Sequence, residues 1–383
     1  MQFTRTDEQA SFQDSFRRFL SETVAPRAAE VDRAGLFPYA NYADLATFGY
    51  TGIGHPEEFG GTTLDPVSSV IAQEELARAC ASSFLSIGAS VGLFGVPLRS
   101  FASQEMQSEI IPGLVKGELI GAWALTEPHC GTDAVAMKTR ARKTDTGWVL
   151  NGSKMFITNG SCADWVMVAA KTDPDAGHAG VSMFLVKKGT PGFEAGPSLE
   201  KLGCRGSPTS ALYFEDCEIP DEWLVGPPGQ GFILAMKTLE AGRVGMAAFG
   251  LGIAQASLDA ALKYAQERTA FGKRIIKFQP VHFKLADMHV AIEGARLLTY
   301  RAAWASGNGT ATQGLLSAAK LFATEAAVRC TDMAIQIHGG AGYMADFPVE
   351  RLYRDARLGP IGEGTSEIQR SLIAKETIAE LTP

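Results

Sequence analysis

The chain has 383 residues, 46% of them hydrophobic and 20% charged, which is the composition of a globular protein and excludes disorder as its ground state. At roughly 150 residues per domain, that length allows two or three domains. A formal net charge of -7 leaves no extended positive field, so no nucleic acid is expected as a partner.

The first 120 residues read as helical. Thr6 stands three residues before Gln9 in the spacing of a capping box. Phe12, Phe16, Phe19 and Leu20 then recur on one helical face, which should be core. Similar spacing runs over Val70 to Ala79 and Gln104 to Val115. The segment from Ala79 to Leu98 carries no charge between Arg78 and Arg99 and is long enough to cross a bilayer. Its serines, glycines and Pro97 dilute that hydrophobicity, so a buried helix pair, with no membrane span, is expected.

From residue 122 the texture changes to short runs with turn signals: WVLNGSKMFITNG, VSMFLVKKGTPG and SALYFEDCEIP. Asn151-Gly152 and Asn159-Gly160 are candidate tight turns, because both residue types tolerate positive φ. Beyond Gly229 four long helical patterns follow, at 232–270, 281–306, 312–337 and 366–381, in the grammar of a four-helix bundle. The expected organisation is an α+β multi-domain chain: a helical domain over 1–121, a middle β-barrel or sandwich domain over 122–228, and a bundle over 229–383.

The six cysteines form no CxxC pair and the six histidines are dispersed, so reduced thiols and no metal site are expected. MQFTRTDEQASF has no basic region leading into an apolar run, which reads as an interior protein rather than a secreted one. GLGIAQ and HGGAGY are not dinucleotide fingerprints. One lies inside a helical pattern and the other follows a helix, whereas the fingerprint needs a strand before it.

Five motifs in order carry more weight: WALTEPHCGTD at 123–133, KMFITNG at 154–160, the stretch from AGRVGM to RTAFGKRI at 241–275, QIHGGAGY at 336–343, and RLYRDARLGPIGEGTSEIQR at 351–370. Together they resemble the acyl-CoA dehydrogenase family, in the same order and over nearly the whole chain. The resemblance implies an N-terminal helical domain, a middle β domain and a C-terminal four-helix bundle with FAD between them. It implies flavin contacts from Trp123, Leu125, Thr126, Gly131, Thr132, Phe156, Ile157 and Thr158. Arg268 and Gln336 would reach a neighbouring subunit's FAD, Phe271, Phe278, Gln279, Gly339 and Gly340 would also contact flavin, and Thr365 and Glu367 would bind FAD, Glu367 near its adenosine part. Thr132, Glu240, Arg243 and Gly364 would touch substrate, and Glu363 would be the base.

An α-proton next to a thioester is too weakly acidic for an unaided carboxylate. The base must be desolvated and the carbonyl polarised. Glu363 lies between two glycines with no cation beside it in sequence, which suits that task. Some relatives carry the base immediately before the residue matching Arg243, where this chain has Gly242. Gly362 replaces the Tyr or Phe common before the base, so branched or cyclic acyl groups are expected to fit as well as short or medium ones. The resemblance further implies an acyl-CoA or acyl-carrier-protein thioester as substrate, electron-transfer flavoprotein as oxidant, a homotetramer or dimer, and a cytoplasmic location, or the mitochondrial matrix for a processed eukaryotic chain. A flavin oxidase and a non-catalytic assembly protein on the same scaffold are the competing readings.

Overall fold

The computed structural model describes residues 4–381. Its N-terminal part is helical: α1 (Asp7–Glu22), α2 (Ala28–Ala34), α3 (Tyr39–Phe48), α4 (Pro66–Ala79), α5 (Ala81–Ile87), α6 (Gly95–Phe101) and α7 (Gln104–Val115). The capping box forms, with Thr6 and Gln9 exchanging side-chain and backbone hydrogen bonds at 3.1 and 3.2 Å. Phe16 and Leu20 are buried, and Phe12 and Phe19 pack against the same core. The uncharged stretch is one continuous helical rod, in which a π-helical segment, Gly88–Phe94, joins α5 to α6. A π turn re-aims side chains within a helix and is frequent at functional sites. Ala81–Phe101 and Gly231–Glu267 are each long and apolar enough to cross a membrane, but 67% of the most apolar window of each is buried inside the protein.

The middle part is a single eight-stranded sheet: β1 (Gly121–Ala124), β2 (Arg140–Lys143), β3 (Gly147–Thr158), β4 (Trp165–Lys171), β5 (Val181–Lys187), β6 (Phe193–Ala195), β7 (Thr209–Pro220) and β8 (Leu224–Val225), in the order β6-β7-β3-β2-β4-β5-β8. β1 and β2 share one edge of β4, running parallel to it. The long β3–β7 pair carries register shifts between Leu150 and Gly152 and between Lys154 and Ile157. The first shift corrects the Asn151-Gly152 turn: these residues lie inside β3, and the positive φ of Gly152 makes a bulge instead of a hairpin. Asn159-Gly160 does turn the chain, with Asn159 at φ 65°. It does not join neighbouring strands. Its buried amide instead donates to the Ser86 and Gly121 carbonyls, tying sheet to helices.

Lys154 is fully buried, and its Nζ donates to Glu127 at 2.8 Å and to the Leu125 carbonyl at 3.1 Å. The amides of Lys138 and Thr139 also donate to Glu127. A buried ion pair this well satisfied fixes the β1–β3 junction, since removing either partner would strand a charge. All six cysteines are free thiols. Ligand atoms of Glu127, His129 and Cys130 come within 4.8 Å of one another. Glu127 already serves the buried Lys154 ammonium.

The C-terminal part packs α8 (Gly231–Glu267), α9 (Gln279–Gly307), α10 (Gln313–His338) and α12 (Ser366–Leu381), with a short α11 (Pro348–Ala356) that the sequence pattern did not separate from the loops. α8 ends at Glu267, not at 270. Phe271 and Gly272 both take positive φ, and the chain turns back as a two-residue hairpin, Thr269–Ala270 against Lys273–Arg274. The glycines of GLGIAQ have a packing purpose. A Cβ on Gly250 would stand 2.7 Å from the Ala323 carbonyl, and one on Gly252 would strike the α4 backbone. Ion pairs fasten α4 to this bundle: Arg78 to Asp259 at 2.6 Å and Arg296 to Glu74 at 3.0 Å, with Tyr300 donating to Glu74.

Candidate functional site

Three of the six non-glycine residues at positive φ are site residues expected from sequence: Phe156 (59°), Phe271 (51°) and Glu363 (52°). Left-handed backbone is unfavourable for residues with a Cβ and persists where the surroundings over-determine it, often at functional sites. At Phe156 it coincides with the second register shift of β3 and turns the ring outward. Phe156 is 66% exposed, while Ile157 beside it is buried. An aromatic that served only as strand core would face the other way.

Around Phe156 the structure gathers Trp123, Leu125 and Thr126 from the end of β1, with Met155 donating its amide to the Thr126 carbonyl at 2.9 Å. Gly131 follows, its missing Cβ 4.0 Å from the Thr126 methyl, and Gly131 and Thr132 are exposed. The Trp123 indole Nε1 is buried without a hydrogen-bond partner.

A second group centres on Glu363, in the turn before α12. Burial pushes its carboxyl up to about 7, with Lys320 and Arg243 pulling partly back. Oε2 is covered and unpartnered. Arg243, on α8, is buried with Nε and Nη1 unpartnered, and desolvation lowers its pKa against the pull of Glu240 and Glu363. Glu240 accepts from Gln313 at 2.7 Å. Gly364, at φ 93°, offers its carbonyl to Lys320 Nζ at 2.7 Å and to Gln369 Nε2 at 3.0 Å. Thr365 accepts from the Ile368 amide at 3.4 Å, and Glu367 is exposed.

Gly242 stands one residue before Arg243, and a Cβ there would collide with Glu363 Oε2. The place where some relatives carry the base is therefore the place the Glu363 carboxylate fills. Gly362 has room for a Cβ, whose nearest neighbour would be Leu358 at 3.6 Å, so glycine there is a matter of volume and not of backbone necessity.

A third group is not brought to the first two. Arg268, Phe271, Phe278 and Gln279 lie just beyond α8, with the rings of Phe271 and Phe278 6.1 Å apart, edge to face. Gln336, Gly339 and Gly340 end α10 beside them, where His338 stacks on Tyr264 at 4.3 Å. Arg268 follows Arg243 by 25 residues along α8, about 37 Å at 1.5 Å per residue. Arg268, Gln336, Gly339 and Gly340 are exposed, as are Phe271 at 95% and Tyr343 at 83%.

Comparison with known proteins decides what these groups belong to. Profiles of the acyl-CoA dehydrogenase N-terminal, middle and C-terminal domains match residues 6–118, 122–217 and 229–378. The mitochondrial short-chain specific acyl-CoA dehydrogenase of Mus musculus is 47% identical over 358 residues, covering 94% of this chain and 87% of that one. The chain belongs to the acyl-CoA dehydrogenase family. Among solved structures, butyryl-CoA dehydrogenase from Megasphaera elsdenii superposes with a TM-score of 0.94 at 40% identity, covering 99% of this chain and 100% of that one. The prolyl acyl carrier protein oxidase AnaB superposes with a TM-score of 0.93 at 30% identity, covering 98% and 100%. As a member, the chain is a flavin-dependent oxidoreductase.

The residues present fit a flavin. An outward-facing aromatic at a strained bulge, a buried indole N–H without acceptor, and open glycines at 339 and 340, where a Cβ would meet nothing within 4 Å, form a surface with unmet contacts.

Sequence reasoning missed Lys320, fully buried on α10. The signal was there: a lone Lys among apolar residues in LLSAAKLFA. Burial lowers its own pKa to about 8. Because its charge lowers the Glu363 pKa, Lys320→Met is expected to move the ascending limb of the pH–rate profile upward, beyond about 7. Stopped-flow flavin reduction across pH measures it; an unmoved limb would remove Lys320 from the account.

Proposed function

We propose that this protein removes the α- and β-hydrogens of a short or medium, branched or cyclic acyl-CoA thioester, giving the trans-2-enoyl thioester. The observation that carries the reading is the Glu363 carboxylate, held desolvated against the Gly242 notch in a turn pinned by Lys320 and Gln369. Glu363 accepts the α-proton as its carboxylate, and its raised pKa gives it the proton affinity to do so near neutral pH. Its own backbone N–H hydrogen-bonds the thioester carbonyl as negative charge develops there. FAD, when bound, supplies the acceptor for the β-hydrogen as hydride. Trp123, Leu125, Thr126, Gly131, Thr132 and Phe156 to Thr158 hold the ring system, and Thr365 and Glu367 stand toward its adenosine. Arg243 and Glu240, with Thr132 and Gly364, orient the thioester.

Arg268 lies about 37 Å along α8 from Arg243, which supports its guanidinium and the Gln336 amide serving the flavin of a neighbouring copy. An exposed face of α9 supports such an assembly: Phe283, Val290, Leu297 and Trp304 recur every seven residues and are 59, 70, 51 and 51% exposed. An apolar stripe with that period is a helix-pairing seam. Both features support a homotetramer, or at least a dimer. Leu297→Arg is expected to yield a smaller species that loses flavin on gel filtration, and a monomer that keeps its colour would defeat this assembly.

The reading is tested by mixing the purified flavoprotein anaerobically with straight, branched and cyclic acyl-CoA esters and the corresponding carrier-protein esters. Bleaching of the visible flavin band by CoA esters supports it. Bleaching by carrier-bound esters alone would place the protein nearer AnaB. Slow reoxidation in air, made fast by electron-transfer flavoprotein, separates dehydrogenase from oxidase. A chain that cannot take up flavin would fit only an assembly role.

A further inference from the structure

One polar group beside the base has no task in the scheme above. Gln73, on α4, has its Oε1 covered and without a hydrogen-bond donor, and its amide nitrogen has no partner among the described residues. Oε1 lies 3.5 Å from where a Cβ on Gly245 would stand, and nothing else comes within 4 Å of that point. Gly245 is three residues beyond Gly242, so both glycines open the same face of α8, with Cβ positions about 5–6 Å apart. Glu363 Oε2 closes the Gly242 end, and Leu93, from the π-helical segment, lies 3.6 Å from the same point. The result is a glycine-floored groove with a carboxylate at one end, an unsatisfied amide at the other and one aliphatic side chain along its flank.

Buried polar atoms are almost always hydrogen-bonded, and the covered Oε1 of this half-buried residue, left without a donor, points to a missing one. A plain aliphatic acyl chain filling this groove would seal the amide against hydrocarbon. An acyl group with a hydrogen-bonding atom roughly four or five bonds beyond its α-carbon would reach it, since an extended chain advances a little over 1 Å per bond. With Oε1 toward the groove the amide accepts from a hydroxyl, and turned over its NH2 donates to a hydroxyl, a carbonyl or a ring nitrogen, so a hydroxyl suits either way.

Building on the dehydrogenase reading, we infer that the substrate is a short acyl thioester bearing a polar, hydrogen-bonding group near its far end, and that Gln73 is the residue that selects it.

The test compares hexanoyl-CoA with 5-hydroxypentanoyl-CoA, esters of equal chain length that differ by a methyl-for-hydroxyl exchange, on the flavin-loaded oligomer. The wild type is expected to favour the hydroxylated ester by at least about tenfold in kcat/KM, and Gln73→Met to reverse that order. Dissociation constants measured on Glu363→Gln, which binds without turnover, should follow the same ranking. If Gln73→Met fails to fold, the wild-type ratio and Gln73→Leu decide. Equal preference in the wild type, or a preference unchanged by the variants, overturns the inference and leaves the dehydrogenase reading standing. Esters that neither reduce the flavin nor bind to Glu363→Gln would overturn both.

Discussion

Glu363→Gln is expected to lower the rate of flavin reduction by about 10²–10⁴-fold, the usual contribution of a positioned general base, while the protein keeps its flavin. Gln keeps the shape and removes the proton acceptor. In the wild type, kcat/KM should rise with pH as the carboxyl ionises around 7. The same residue makes a second, independent prediction about stability. Its pKa is higher folded than unfolded, so between 4.5 and about 7 the native state binds more protons and stability falls as pH rises. The contribution is present below the unfolded value and lost on passing through the folded one. Glu363→Gln escapes that loss and should be more stable than wild type above pH 7 by about 3 kcal/mol, and little different at pH 4. Urea unfolding of the apoprotein at pH 4 and 8 measures the difference. A variant destabilised at pH 8 would mean that the carboxylate is solvated in solution.

Gly242→Ala carries the other large effect, and in the opposite sense for activity and stability. Within a helix Ala is favoured over Gly by about 1 kcal/mol, so α8 itself should gain or hold its stability. The added methyl, however, occupies the space of Glu363 Oε2 and must push the carboxylate aside. A displacement on the order of 1 Å at the reacting atoms costs about 10²-fold in rate. We expect kcat to fall by that factor with the thermal midpoint unchanged or raised, and Gly242→Ala/Glu363→Gln to be no slower than Glu363→Gln alone. An additive double variant would mean that the two positions act separately.

Much of this was legible in the sequence because it depends on local chemistry. Thr6 and Gln9 close their capping box, and the Phe16 face is core. The period of the C-terminal patterns gave four helices within a few residues of their observed ends. The corrections have physical reasons as well. Asn151-Gly152 has the composition of a turn, but the pairing of β3 with β7 over both its flanks absorbs it as a bulge. The helical pattern past Glu267 continues in composition, while the positive φ of Phe271 and Gly272 breaks it.

For the proposed site, Glu363, Phe156 and Arg243 each sit in a distinctive string, which is why the motifs point to them. Lys320 and Gln73 lie in ordinary helical sequence, and only packing shows that their polar ends meet the base loop and the α8 groove. The motif resemblance already sets Arg268 apart from Glu363, and the length of α8 agrees with it.

In the proposed assembly α8 is a shared beam: toward one end it carries a subunit's own reaction centre, and just past the other it offers a hand to someone else's. A lesion then need not be felt where it is made. If a subunit lacking Glu363 were paired with one lacking the Arg268 guanidinium, both faults would fall on one of the two centres and leave the other whole. Two preparations, each inert alone, would regain part of their activity once their subunits exchanged.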